Sequence, residues 1–235
     1  MATAPQHVSL ASMNRDVSAW VDEVAKLTQP EHVHWCDGSQ AEFQTLQREL
    51  IGSRELLPLN PQSFPGCVLS RSDPSDVARV EHLTFVCTRN REDAGPNNNW
   101  IDPAQAHARM DALFAGCMKG RTLYVVPYCM GPLDSPFSRG GVEITDSAYV
   151  VLNMQLMTRM GRAALERITH DGNFVRGLHS TGDLEPKRRF LMHLHEDLAI
   201  KSFGSGYGGQ ALLGKKCHAV RIDAWKAHNR GGVAA

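Results

Sequence analysis

Ser202–Cys217, SFGSGYGGQALLGKKC, can be read as either of two glycine-loop nucleotide folds, and it fails both. Gly204, Gly206, Gly208 and Gly209 follow the apolar stretch Ala199–Phe203, so backbone N–H groups there can approach a ligand closely, most often an anion. Gly204, Gly206 and Gly209 satisfy GxGxxG, but a dinucleotide fold needs that turn after its first strand, with a long chain behind it. Only positions 210–235 follow here, too few to build the second half of that fold. Gly209, Gly214 and Lys215 also fit the frame of a phosphate loop, yet Lys216 stands where a Ser or Thr hydroxyl must reach magnesium. A cation cannot replace that hydroxyl.

Outward from this loop, helices and strands interleave. Asn14 reads as the N-cap of a helix over Arg15–Thr28, with Val17, Trp20, Val21, Val24 and Leu27 on one face. Ser39 and Glu42 form a capping-box pattern for a second helix with Phe43, Leu46 and Leu50 buried and Gly52 as its stop. Asp102-Pro103 opens a third, closed by Gly116. Strands are expected at 32–36, 83–88, 122–128, 174–178, 189–193 and 199–203. The segment Asp146–Ile168 suits a helical face of Val150, Met154, Met157 and Met160, and a last helix is expected from Gly214 through Lys226. Arg89–Asn99 reads as a flexible loop. The pattern predicts a mixed α/β class in one domain, 1–235.

Composition bounds the partners. The chain has 235 residues, 42% hydrophobic, with 25 basic and 25 acidic side chains and a formal net charge of zero. A neutral chain without a basic run argues against nucleic acid or an anionic membrane as partner, and no apolar run approaches the ~20 residues of a membrane span. Met1–Asn14 has neither a signal core nor an Arg-rich transit pattern. Six cysteines without a CxxC suggest a reducing, cytoplasmic setting.

Several residues could carry chemistry, each with a plainer alternative. Lys215 and Lys216 repel each other at a helix start and both feel the positive end of the helix dipole, which lowers a lysine pKa and makes a neutral amine available to a metal. Alternatively they are two solvated lysines. His193 and His195 share a strand face with Glu196 and Asp197 close behind, fitting either a metal pair or a strand ending in a polar turn. His32 and His34 pose the same choice, with no acidic neighbour until Asp37. Cys217 near a helix start could be a reactive thiol or a packed one. Arg79, beside Asp76 and Glu81, is either a structural ion pair or a planar fork for a substrate carboxylate.

Six segments together resemble the GTP-dependent phosphoenolpyruvate carboxykinase family: WCDGS (35–39), SDPSDVARVE (72–81), NREDAGPNNNW (90–100), GCMKGRTLYVVPYCMGPLDSP (116–136), TDSAYVVLNMQLMTRMG (145–161) and SGYGGQALLGKKC (205–217). They occur in family order from about Val33 to Ile222. The resemblance implies the N-terminal domain of that fold, a mixed sheet flanked by helices, and a gluconeogenic lyase reaction: oxaloacetate and GTP give phosphoenolpyruvate, GDP and carbon dioxide, with manganese. It assigns Arg79 to the substrate carboxylate, Tyr207, Gly208 and Gly209 to the substrate loop, and Lys216 to manganese as a neutral ligand. Gln210 departs from the family's usual asparagine by one methylene. Family members run more than twice this length, and their remainder holds a histidine and an aspartate for manganese, the phosphate loop and the guanine pocket. The expectation is therefore a substrate-side portion without the C-terminal nucleotide-binding domain, inactive alone and a partner for that missing portion. The alternatives are a non-catalytic dicarboxylate-binding or interaction module and a non-functional truncation product.

Overall fold

Local capping starts the helices where the side chains dictate. The computed structural model describes residues 9–70 and 81–206. Asn14 Oδ1 accepts from the Asp16 and Val17 amides at the start of α1 (Arg15–Thr28). After β1 (His32–Trp35), Ser39 accepts from Glu42 N and opens α2 (Gln40–Gly52). The capping box is only half formed, because Glu42 reaches back to the Asp37 and Gly38 amides while Ser39 N donates to Asp37. A small hairpin, β2 (Leu56–Pro58) and β3 (Val68–Ser70), precedes β4 (Thr84–Cys87). The expected loop at 89–99 contains a short 3-10 turn, Arg91–Ala94, and begins β5 (Asn99–Trp100). Asp102 caps α3 (Pro103–Phe114) as its sequence implies.

Next come β6 (Thr122–Met130) and β7 (Arg139–Thr145), the second unexpected from sequence. The continuous helix expected over 146–168 is instead α4 (Ala148–Met157), β8 (Arg159–Met160) and α5 (Arg162–Asp171). Gly161 breaks it: at φ +87° its missing Cβ would lie 1.8 Å from Asp37 O, so the α4–α5 junction is pressed onto the β1–α2 loop where only glycine fits. Met157 is consequently exposed and Met160 lies in a strand. The remaining strands are β9 (Val175–Ser180), β10 (Phe190–Leu194) and β11 (Ala199–Phe203), each within two residues of its expected position.

Among the described residues these strands form a nine-stranded mixed sheet ordered β1-β6-β7-β9-β11-β10-β4-β5, with β8 also on β6. β7, β9 and β11 run parallel to one another, while β4 pairs in parallel with β10, Thr84 opposite Leu191. Apolar residues of α1, α3 and α5, including Val21, Phe114 and Leu165, bury one sheet face against Leu123 and Ile144. Leu46, Leu50, Val150 and Met154 of α2 and α4 cover part of the other, against Val126 and Tyr128. The mixed α/β architecture matches the expectation. No helix among the described residues is long and apolar enough to cross a membrane.

Candidate functional site

In open α/β sheets, ligands bind outside the carboxyl ends of parallel strands, where backbone groups and strand-end side chains are not consumed by pairing. The ends of β7, β9 and β11 form such a row. Register places Thr145 beside His179 and His179 beside Ser202, all three buried. Ser147 N donates to Thr145 Oγ1 (3.1 Å), and that hydroxyl lies 2.7 Å from His179 Nδ1. His179 Nε2 donates to the carbonyl of Ser205 at 2.7 Å. The imidazole thus carries its proton on Nε2 and acts as a fixed brace between the start of α4 and the chain leaving β11.

Two further contacts hold that departing chain. Gly204 N donates to Ser180 O (3.0 Å), and the buried Arg189 donates from Nε to Gly204 O (2.8 Å). Gly204 has φ +84°, and a Cβ there would stand 3.1 Å from the Arg188 carbonyl and the Arg189 Cα. Beside this brace, the fully buried Asp146 carboxylate accepts from Arg121 Nη1 (2.8 Å), Ser180 Oγ (2.6 Å) and Thr181 N (2.9 Å). Arg121 also donates to Thr181 Oγ1 and the Gly182 carbonyl. A buried carboxylate is tolerated when ion-paired and hydrogen-bonded in this way. The row is preorganised: its polar groups are oriented by one another before any ligand arrives.

Sequence-derived site residues divide sharply. Arg79, Tyr207, Gly208, Gly209 and Lys216, with Lys215, Gln210 and Cys217, lie outside the described residues, as does the expected helix from Gly214. Of the histidine pairs, His193 and His195 have ring centroids 6.5 Å apart, but the acids behind them face elsewhere. Glu196 accepts from Arg89 N and Asp197 pairs with His107 on α3. That is the polar-turn alternative. His34 behaves differently: its Nε2 lies 2.7 Å from Glu42 Oε1, and the Cys36 sulfur lies within 4.8 Å of both groups. Glu42 was visible only as a helix cap. Its second use depends on the strand-to-helix turn, and the sequence signal would have been His-x-Cys followed by a capping Glu.

Cys36, Cys87, Cys117 and Cys129 are poor nucleophiles. Burial first of all pushes Cys87 up to about 12 and Cys117 up to about 11, and raises Cys36 and Cys129 as well, so their thiolates are scarce at neutral pH. Thr145, His179, Asp146 and Arg121 escaped sequence reasoning because their partners lie on different strands.

Comparison with known proteins identifies what is built on this frame. The family model for the phosphoenolpyruvate carboxykinase N-terminal domain matches residues 19–228. The chain belongs to the phosphoenolpyruvate carboxykinase family. It is 53% identical over 234 residues to the phosphoenolpyruvate carboxykinase (GTP) of Anaeromyxobacter dehalogenans strain 2CP-C, covering 100% of this chain and 39% of that relative. The proteins of the same name from Chlamydia trachomatis serovar D and Corynebacterium jeikeium are 48% and 47% identical over 93% and 94% of this chain, and 38% of each relative is covered. The chain therefore spans about two fifths of the length of these carboxykinases, matching their N-terminal domain.

Proposed function

We propose that this chain forms the substrate side of a GTP-dependent phosphoenolpyruvate carboxykinase, gripping phosphoenolpyruvate or oxaloacetate in the cytoplasm. The observation that carries this reading is the braced exit of β11. Ser205 is held by His179 at the carboxyl ends of three parallel strands, two residues before the Tyr207-Gly208-Gly209 stretch that matches the family's substrate loop. A loop that must bring backbone close to a carboxylate gains from a fixed origin, because less ordering is left to oppose binding. In this reading Arg79 supplies two parallel N–H groups to the substrate carboxylate.

Manganese chemistry enters through Lys216, whose neutral amine offers one nitrogen. The cluster of three potential donors found among the described residues, His34, Cys36 and Glu42, contains a thiol and suits a softer metal. A manganese site supplied by this chain therefore rests on Lys216 and is weak by itself. No GxxxxGK[ST] occurs in the 235 residues, so the chain alone is expected to bind dicarboxylates without GTP-dependent phosphoryl transfer. The rest of the reaction is assigned to a nucleotide-binding portion like that of the longer relatives.

Calorimetric titration with phosphoenolpyruvate and oxalate tests the pocket. Binding in roughly the millimolar range is expected. It should weaken in Arg79→Lys, which keeps the charge but loses the fork. Equal affinity in wild type and Arg79→Ala returns that arginine to a structural ion pair. Manganese titration followed by water-proton relaxation should show weaker binding at lower pH and a larger loss in Lys216→Ala than in Lys215→Ala. Identical, pH-independent binding in all three proteins removes the lysine from the proposal.

A further inference from the structure

We infer that His34, Cys36 and Glu42 form a cation site, at the β1–α2 turn, for a borderline-soft divalent metal of the zinc class. Their donor atoms, one imidazole nitrogen, one thiol sulfur and one carboxylate oxygen, lie within 4.8 Å of one another. His34 and Cys36 are two apart and so point to the same side of β1, and Glu42 comes from the first turn of α2. Nitrogen, sulfur and oxygen ligands with one position left for water make a set zinc accepts and manganese or magnesium does not favour.

The surroundings hold these donors in place. Cys36 N donates to Val125 O at 2.9 Å, fixing the strand end. The Glu42 carboxylate accepts from Asp37 N (3.2 Å) and Gly38 N (2.9 Å), the outer hydrogen bonds that orient a ligating carboxylate. Gly38, at φ +74°, packs where a Cβ would meet the Met160 carbonyl at 2.5 Å, and Gln155 Nε2 donates to the Gly38 and Ser39 carbonyls. The turn cannot drift without disturbing α4 and β8. Cys36 is fully buried, while the His34 side chain is 46% exposed and offers the metal a way in from solvent.

Proton balance favours the exchange. Without metal, the His34 Nε2 proton serves the Glu42 carboxylate and the Cys36 thiol keeps its own proton beside them. A divalent cation takes the place of that bridge: the thiol proton leaves to solvent and the imidazole binds as the neutral ring. When His34 starts as imidazolium, a second proton is released, and the cluster then keeps its net charge with two protons out and one dication in. The other charged or titratable groups facing His34 are Asp37 on the turn and Glu49 on α2, with Tyr124 edge-on from β6 at 5.7 Å. The acids add to the attraction for a cation.

The test uses the full chain with zinc chloride and, separately, cobalt(II) chloride. Expected are one zinc per chain by calorimetry and a thiolate-to-cobalt charge-transfer band in the near ultraviolet, retained in Cys67→Ser and lost in Cys36→Ser. His34→Gln should weaken zinc by more than about tenfold, since even outer-sphere partners cost that much. Proton release, read from calorimetry in buffers of different ionisation enthalpy, should fall from two towards one as pH rises through the His34 titration. Absence of the cobalt band in saturated wild type overturns the site without any variant. So does zinc affinity that is unchanged in both Cys36→Ser and His34→Gln.

Discussion

Alternate residues of the same strands face different surroundings. On β7, Val142 and Ile144 join the apolar cluster under α1, α3 and α5, whereas Glu143 and Thr145 turn to the opposite face. On β9, Leu178 joins that cluster while Gly177 and His179 take the other side. The first face is held by side chains that need only be apolar and of suitable volume. The second, beyond the cover of α2 and α4, is held by polar groups with named partners, His179 with Thr145 and Ser205. One face supplies stability that many sequences could supply, and the other spends some of it to fix the chain that runs into the proposed substrate loop.

The largest expected effect should leave binding alone. Phe114 is fully buried and meets Phe203 edge-on at 5.4 Å, so Phe114→Ala should cost about 3–5 kcal/mol in urea unfolding. Phosphoenolpyruvate affinity of the folded fraction should stay unchanged; a matching loss of affinity would erase the division between the faces. Gly177→Ala should cost about 1–3 kcal/mol, because the added methyl would stand 1.8 Å from Glu143 Oε2. In a Glu143→Ala background that penalty should shrink, and strict additivity would show that the close approach is not what fixes glycine there. Ser39→Ala should cost ~1 kcal/mol through loss of the α2 cap.

The smallest effect concerns pH. The hydrogen bond that His34 donates to Glu42 raises its pKa above 6.5, with partial burial opposing it. The proton is therefore held more tightly in the folded state, and its stabilisation is complete below the unfolded pKa and lost as pH rises through the raised one. The stability difference between wild type and His34→Gln, followed by thermal melts without metal, should narrow over that window. A difference that widens with rising pH reverses the assignment of Glu42 as the dominant partner.

The sequence was most legible where structure is local. Asn14, Ser39 and Asp102 cap helices through amides two or three residues away, and each is where its pattern implies. It was least legible where a distant contact decides. β7, RGGVEIT, lacks an apolar alternation because Gly140 and Gly141 make room for Ile168 and Tyr128 and because Glu143 is buried. The α4–α5 break rests on Gly161 meeting Asp37, a contact no periodicity encodes. The proposed substrate loop rests on its glycines and its family likeness, but the brace before it could not be read from sequence. Thr145, His179 and Ser205 are each ordinary residues until register sets them side by side.

The pairing of β4 with β10 also has a cost in time. Thr84 meets Leu191, and those positions are 107 residues apart (191 − 84). At translation rates of roughly 5–20 residues per second, the ribosome makes the partner of β4 about 5–20 s after β4 itself. Throughout that interval the Phe85 and Val86 stretch has no neighbour on its β10 side, and among the described residues β5, two residues long, is its only other partner in the sheet. An unpaired strand of this kind invites association between nascent chains. Yield of the soluble protein should therefore depend on holdase capacity and on the speed of synthesis across residues 88–190 more than on the stability of the finished fold.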